Sequence, residues 1–279
     1  MSLYYAALDA LPFEMLHWDF IKNALLAILI MAPLFGLTST MIVTGRMSFF
    51  SDALGHSAFT GIAIGAICGL SSPTWVAVAF SVVFALLFSF IRAYSNQTAD
   101  TLIGVFSSTA VALGIFIATL NGGSFAKYNK YLIGDILSVT PMEIATLSLV
   151  LLAVCIFWFL FSNQLTLCAI HPQLASSRGV SVKLTQTVFT VAIAIVVTLA
   201  ISWVGLLILN SLLVLPGATA RNTAKNIRQY HVYSVATALI SGVAGLCISY
   251  NLGTSTGAAI SLMSAMLFIL SFIIRKVRS

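Results

Sequence analysis

Asp52 and His56 stand four residues apart in the stretch "GRMSFFSDALGHSAFTGIAIG", residues 45–65. On a helix that spacing puts a carboxylate and an imidazole on one face, about one turn from each other. Two chemistries are open to such a pair. It can be a buried hydrogen bond that locks helices together, or it can offer an anionic oxygen and a neutral nitrogen to a cation, a mixed donor set acceptable to Mn, Fe or Zn. Spacing alone leaves both open, but ionisable groups inside an apolar segment are costly and point to a task. Ser57, Gly61 and Gly65 follow at four-residue spacing on an adjoining face, where small side chains let neighbouring backbones approach. These read as pore-lining or helix-packing positions. With a helix starting near Met47 and rising about 1.5 Å per residue, His56 is expected roughly 14 Å along it, near the middle of a hydrocarbon layer of about 30 Å.

The elements that must hold this pair are membrane helices. Of 279 residues, 60% are hydrophobic and only 7% charged, and the mean hydropathy is +1.07. That composition excludes a water-soluble globule and predicts an all-α polytopic membrane protein. Apolar runs long enough to cross a bilayer fall at 21–44, 47–70, 74–94, 101–120, 142–163, 184–201, 204–219, 232–250 and 256–274, giving about nine transmembrane helices. Eight would result if 184–219 were one span. Ser202-Trp203-Val204-Gly205 favours a turn there instead. Residues 1–20 carry Asp9, Glu14 and Asp19 but no Lys or Arg, the reverse of a basic signal-peptide start, and read as an interfacial lead-in.

Charge sets the expected orientation. With the N-terminus outside and nine spans, Arg46, Arg92, Arg178, Lys183, Arg221, Lys225, Arg228, Arg275, Lys276 and Arg278 are cytoplasmic, leaving Lys22, Lys127 and Lys130 outside. This is a positive-inside pattern, and it puts the C-terminus in the cytoplasm. The net charge of +6 then reflects topology and contact with anionic inner-leaflet lipid, with no call for nucleic acid. Cys68, Cys155, Cys168 and Cys247 are scattered singly and read as packing residues. Trp18, Trp75, Trp158 and Trp203 suit an aromatic belt at span ends, and His17 and His231 lie at membrane edges. Ser107, Ser108 and Thr109 are expected to bond back onto their own helix.

Two further segments interrupt the apolar pattern. The stretch 164–183, "QLTLCAIHPQLASSRGVSVK", is the longest polar break on the cytoplasmic side. Pro172 suits a first helical turn, His171 occupies the cap position, and Gly179 can close the far end in a left-handed conformation. A short surface helix over 172–178 is predicted. In "SWVGLLILNSLLVLPGATAR", 202–221, Asn210, Ser211, Pro216 and Gly217 break an apolar run. Backbone groups freed by Pro and Gly are tolerated at membrane depth only where protein or a water-filled cavity meets them. Asn210 and Pro216 are therefore also candidates for pore-lining or packing roles. No GxxxxGK[ST] phosphate loop, HExxH pair or hydrolase signature occurs, so catalysis on this chain is not expected.

Together, "MIVTGRMSFFSDALGHSAFTGIAIG", "YLIGDILSVT", "HPQLASSRGV" and "VGLLILNSLLVLPGATAR" resemble the permease subunits of ABC importers for divalent transition metals, the zinc/manganese/iron group called the ABC-3 family. The resemblance covers nearly the whole chain and implies a single permease domain over 1–279 in the bacterial cytoplasmic (inner) membrane. It also implies a second copy of the chain, cytoplasmic ATP-binding subunits that hydrolyse ATP, and an extracellular metal-binding protein. The family's intramembrane ligands match Asp52 and His56. Its coupling helix, within a cytoplasmic segment 164–183, matches Pro172, Gln173, Leu174, Ala175, Ser176, Ser177, Arg178 and Gly179. The transported Mn, Zn or Fe ion would be the only metal, with no permanently bound cofactor. Two positions depart from the family pattern: Gly55 where Ser is common before the histidine, and His171 where an acid is common before the coupling-helix proline. Two rival readings stay open. One is an ion-gradient-driven carrier or channel with an Asp–His proton relay, against which the short helix and the absence of inverted repeats argue. The other is an ABC permease for metal chelates, whose wider and less charged passage Asp52 and His56 do not suit.

Overall fold

The computed structural model describes residues 5, 14–69, 73–120 and 136–278. Most of the expected lead-in, Lys127, Lys130 and the first half of "YLIGDILSVT" lie outside them. Among the described residues all regular structure is helical. Nine long helices are present: α1 Asp19–Thr44, α2 Phe50–Ile67, α3 Pro73–Tyr94, α4 Ala99–Thr119, α5 Pro141–Ile170, α7 Val182–Val204, α8 Leu206–Thr223, α9 Ile227–Leu252 and α10 Thr256–Arg278. A short α6, Pro172–Ser177, lies between α5 and α7.

Local chemistry sets most of the boundaries. Thr98, Ser181 and Asn226 cap α4, α7 and α9 through side-chain oxygens that accept backbone N–H bonds. Thr140 and Glu143 form a reciprocal capping box at the start of α5, with Pro141 at its first position. Helix α5 runs on to Ile170, beyond the expected end at 163. Ser162, Asn163 and Gln164 are polar enough to leave the hydrocarbon but remain compatible with helix, and only Pro172 enforces a stop. The expected turn near 202–205 falls at Gly205, whose φ of 83° separates α7 from α8. Residues 184–219 thus form two helices rather than one continuous one.

Among the described residues, seven helices are long and apolar enough to cross a membrane. The other two long ones, α2 and α8, have 18 residues each and are the helices that carry Asp52, His56 and Asn210. Both are packed inside. Helix α2 is held between α3 and α4, while α8 lies against α1, α9 and α10. Close approach of α2 to α3 depends on Gly61, where a Cβ would collide with the backbone of Ala77. A cluster of Phe50, Phe84, Phe88 and Phe106 fastens α2, α3 and α4, with ring centroids 4.8 Å apart for Phe50–Phe88 and 5.5 Å for Phe88–Phe106. The outward faces of α3, α5 and α10 are apolar, Phe159 being 89% exposed. Such a surface is stable only against lipid or another apolar face, in keeping with a multi-pass membrane protein.

Candidate functional site

Helix α2 opens only at Phe50, because residues 45–47 close α1 in a turn, so Asp52 lies in the first turn of α2. His56 is therefore about 9 Å from the helix start rather than 14 Å. The i,i+4 geometry is present: His56 Nε2 lies 3.5 Å from Asp52 Oδ2. Neither side chain is sealed, Asp52 being 44% and His56 26% exposed. A third polar group comes from α8, where Asn210 Nδ2 donates to Asp52 Oδ1 at 3.1 Å. The amide oxygen of Asn210 is buried and has no hydrogen-bond partner.

This arrangement combines a carboxylate, an imidazole and an amide oxygen without any thiolate. Oxygen and nitrogen donors of this kind suit Mn, Fe or Zn. Among the described residues no group of three or more His, Cys, Asp and Glu gathers to hold a metal. The pair with Asn210 is thus an open, partial donor set. The four cysteines are free.

Ser57, Gly61 and Gly65 lie on another face of α2, against α3. Ser57 Oγ donates to Leu54 O at 2.8 Å and meets Ser81 Oγ at 3.0 Å, and Gly65 faces Pro73. Gly55 is occupied from outside: a Cβ there would run into the Leu206 side chain of α8. Glycine at this position therefore leaves room for the Leu206 side chain beside the pair. Pro216 is buried within α8, and Ser39 of α1 repairs the ladder around it. Its hydroxyl accepts from Gly217 N–H at 2.8 Å and donates to Val214 O at 3.3 Å, as freed backbone in a membrane requires.

The segment 164–183 begins as about the last two turns of α5 and continues as α6. Helix α6 ends in a Schellman motif: Val180 N–H reaches Ala175 O and Gly179 N–H reaches Ser176 O, both at 3.0 Å, with Gly179 at φ 77°. Ala175 is buried, whereas Gln173, Leu174, Ser176, Ser177 and Arg178 are exposed, so the helix offers a free outer surface. His171 precedes it without making a side-chain cap bond.

His231, Trp158 and Thr109 have structural partners. His231 Nδ1 lies 2.9 Å from Thr40 Oγ1, and the ring meets Trp158 edge to face at 5.4 Å. Trp158 thus packs on a histidine of α9. Thr109 bonds back to Val105 O at 2.8 Å, as expected.

Two membrane proteins of bacterial uptake systems are similar over nearly their full lengths. The high-affinity zinc uptake system membrane protein ZnuB of Haemophilus influenzae is 27% identical over 95% of this chain and 99% of its own. The manganese import system permease protein ScaB of Streptococcus gordonii is 29% identical over 92% of each chain. Among solved structures, PsaBC from Streptococcus pneumoniae in complex with Fab superposes with a TM-score of 0.78 at 26% identity, covering 97% of this chain and 95% of that one. Residues 17–275, which hold α1 to α9, the Asp52–His56 pair and Asn210, match the ABC 3 transport family throughout, and the chain belongs to that family.

Proposed function

We propose that the chain is the membrane-spanning subunit of an ATP-driven importer that carries a divalent transition-metal ion, Mn, Zn or Fe, into the cell across the cytoplasmic membrane of a bacterium. The observation that carries this reading is the meeting of Asp52, His56 and Asn210 on the two long helices that are not apolar enough to cross a membrane by themselves. A dication leaving water needs its charge met. Asp52 supplies an anionic oxygen and neutral His56 a nitrogen, while the Asn210 amide fixes the carboxylate by donating to its other oxygen. The lack of thiolate keeps the ion exchangeable, which transport requires. Because the pair is open on one side, a second copy of the chain fits as the source of a matching pair, making four ligands across a two-fold axis.

Helix α6, in the segment 164–183, would couple to a separate ATP-binding subunit, since this sequence has no phosphate loop of its own. An extracellular metal-binding protein would deliver the ion. The N-terminus then lies outside with residues 1–20 at the interface, the end of the bundle that holds Arg46, Arg92, Arg221 and α6 faces the cytoplasm, and 1–279 acts as one permease domain without a resident cofactor. Relatives named for zinc and for manganese support this cargo class.

The test is metal uptake by proteoliposomes containing the importer assembled with its ATPase and binding protein, at equal incorporation. Asp52→Asn and His56→Leu are each expected to reduce uptake to background. Normal uptake by the Asp52→Leu, His56→Leu double variant would return the pair to a structural hydrogen bond, because apolar residues often replace a buried polar pair without loss. Uptake that persists without the ATPase would instead favour a gradient-driven carrier.

A further inference from the structure

At one end of the bundle, the last turns of α1, α3, α5 and α8 enclose a cavity of about 440 Å3, bounded also by α7 and the start of α6. Three arginines line it, Arg46, Arg92 and Arg221, with Gln186 beside them and no Asp or Glu. Among the described residues none of the three has a carboxylate partner. Among the described residues the ion pairs are Lys22–Asp19 and His56–Asp52. Arg92 is half-buried, and its Nη1 donates to Met47 Sδ at 3.0 Å, a weak acceptor for a guanidinium.

Arg46 adds an independent sign. It is the sole non-glycine residue with positive φ, 54°, among the described residues. It occupies the left-handed position of the Schellman motif that ends α1, with Met47 N–H on Ile42 O at 2.9 Å and Arg46 N–H on Val43 O at 3.3 Å. Glycine relieves that position, yet an arginine is held there, with its residue at the cavity wall. Strain of this kind collects where a side chain is needed.

We propose that this cavity is a binding site for an anionic phosphate group. Arg92, half-buried and without counter-charge, calls for an anion; Arg46 and Arg221, both exposed, add two positive charges to the same cavity wall, and the planar fork of arginine matches phosphate oxygens in pairs. The same three charges repel a dication, which sets the cavity apart from the Asp52–His56 pair. Two sources share the chemistry. One is the headgroup of an anionic phospholipid, for which basic pockets between helices at a membrane face are suited and to which the apolar wall at Phe189 offers a seat. The other is free phosphate.

The experiment titrates the delipidated full-length chain with phosphatidylglycerol and phosphatidylcholine, read by native mass spectrometry, and separately with inorganic phosphate, read by calorimetry. Wild type is expected to bind phosphatidylglycerol at least tenfold more tightly than phosphatidylcholine. The Arg92→Gln, Arg221→Gln double variant should lose that preference, and Arg92→Lys should keep most of it. Phosphate binding that disappears in the double variant, without any lipid preference in wild type, would assign the site to free phosphate. A wild type that neither prefers phosphatidylglycerol nor binds phosphate overturns the proposal whatever the variants do. So does a correctly folded double variant that binds both as wild type does. If that variant sheds the ATPase while keeping lipid and phosphate binding, the arginines serve a protein carboxylate and the phosphate reading fails.

Discussion

Asn210 contributes two atoms with different duties. Its amide nitrogen orients Asp52, and its oxygen, buried without a partner, is an orphan acceptor of a kind that ordinarily costs about 1–3 kcal/mol. Removing an outer partner of a ligating carboxylate typically weakens metal affinity by about 10–100-fold. Asn210→Ala is therefore expected to raise the Mn or Zn dissociation constant of the assembled importer into that range, measured by calorimetry. Unchanged affinity would reduce Asn210 to packing. The sequence made Asp52 and His56 legible because one helical turn brings them together without help from the fold. Asn210 could be seen there only as a polar residue in an apolar run. Its partner is 158 positions away, and only the packing of α8 on α2, beside Gly55, unites them. Ser57, Gly61 and Gly65 were equally ambiguous, since small residues serve a pore or a tight contact alike. Their neighbours in α3 decide it.

At the scale of the element, α6 was readable because its stop signals are local: proline at the first turn, glycine past the last. Helix α5 was less so. Polar residues at 162–164 mark where apolar sequence ends, whereas the backbone ends where proline forbids continuation, and those are different events. The Schellman closure makes Gly179 a sensitive point of the proposed coupling helix. A Cβ there meets open space but must adopt φ near 77°, which a β-branched residue resists. Gly179→Val should fray α6, and Leu174→Glu should place a charge on an apolar side chain that is 44% exposed. Each is expected to lower ATPase affinity about tenfold or more, equivalent to about 1.4 kcal/mol, while the permease still inserts. Unchanged co-purification and uptake in both variants would refute the assignment of α6. Helix α8 carries a device that patterns do not show, the Ser39 hydroxyl set into its backbone ladder. Pro216 announces a gap in the ladder, but the residue that fills it belongs to another helix.

For the whole molecule, the nine apolar runs match nine long helices among the described residues, seven of them long and apolar enough to cross a membrane by themselves. How the helices neighbour one another was not legible, since lipid-exposed and protein-facing leucines look alike in sequence. Orientation is tested with a single cysteine at Lys225, which is exposed and leaves the Asn226 cap of α9 intact, in a background lacking Cys68, Cys155, Cys168 and Cys247. An impermeant thiol reagent should label it in inside-out vesicles and leave it unlabelled in intact cells. Labelling in intact cells would reverse the bundle. The apolarity ranking of the helices bears finally on how the protein is made. Helices α2 and α8 are the segments a bilayer accepts least readily on their own, because Asp52, His56 and Asn210 displace apolar residues in helices of only 18 residues. An insertion machine that releases helices singly would strand both. Helix α8 follows α7 after the one-residue break at Gly205, and α2 precedes the apolar α3 that packs along it. Helix α2 can thus enter the bilayer together with α3, whereas α8 finds its cover on α1, α9 and α10 and is expected to settle only as the bundle assembles.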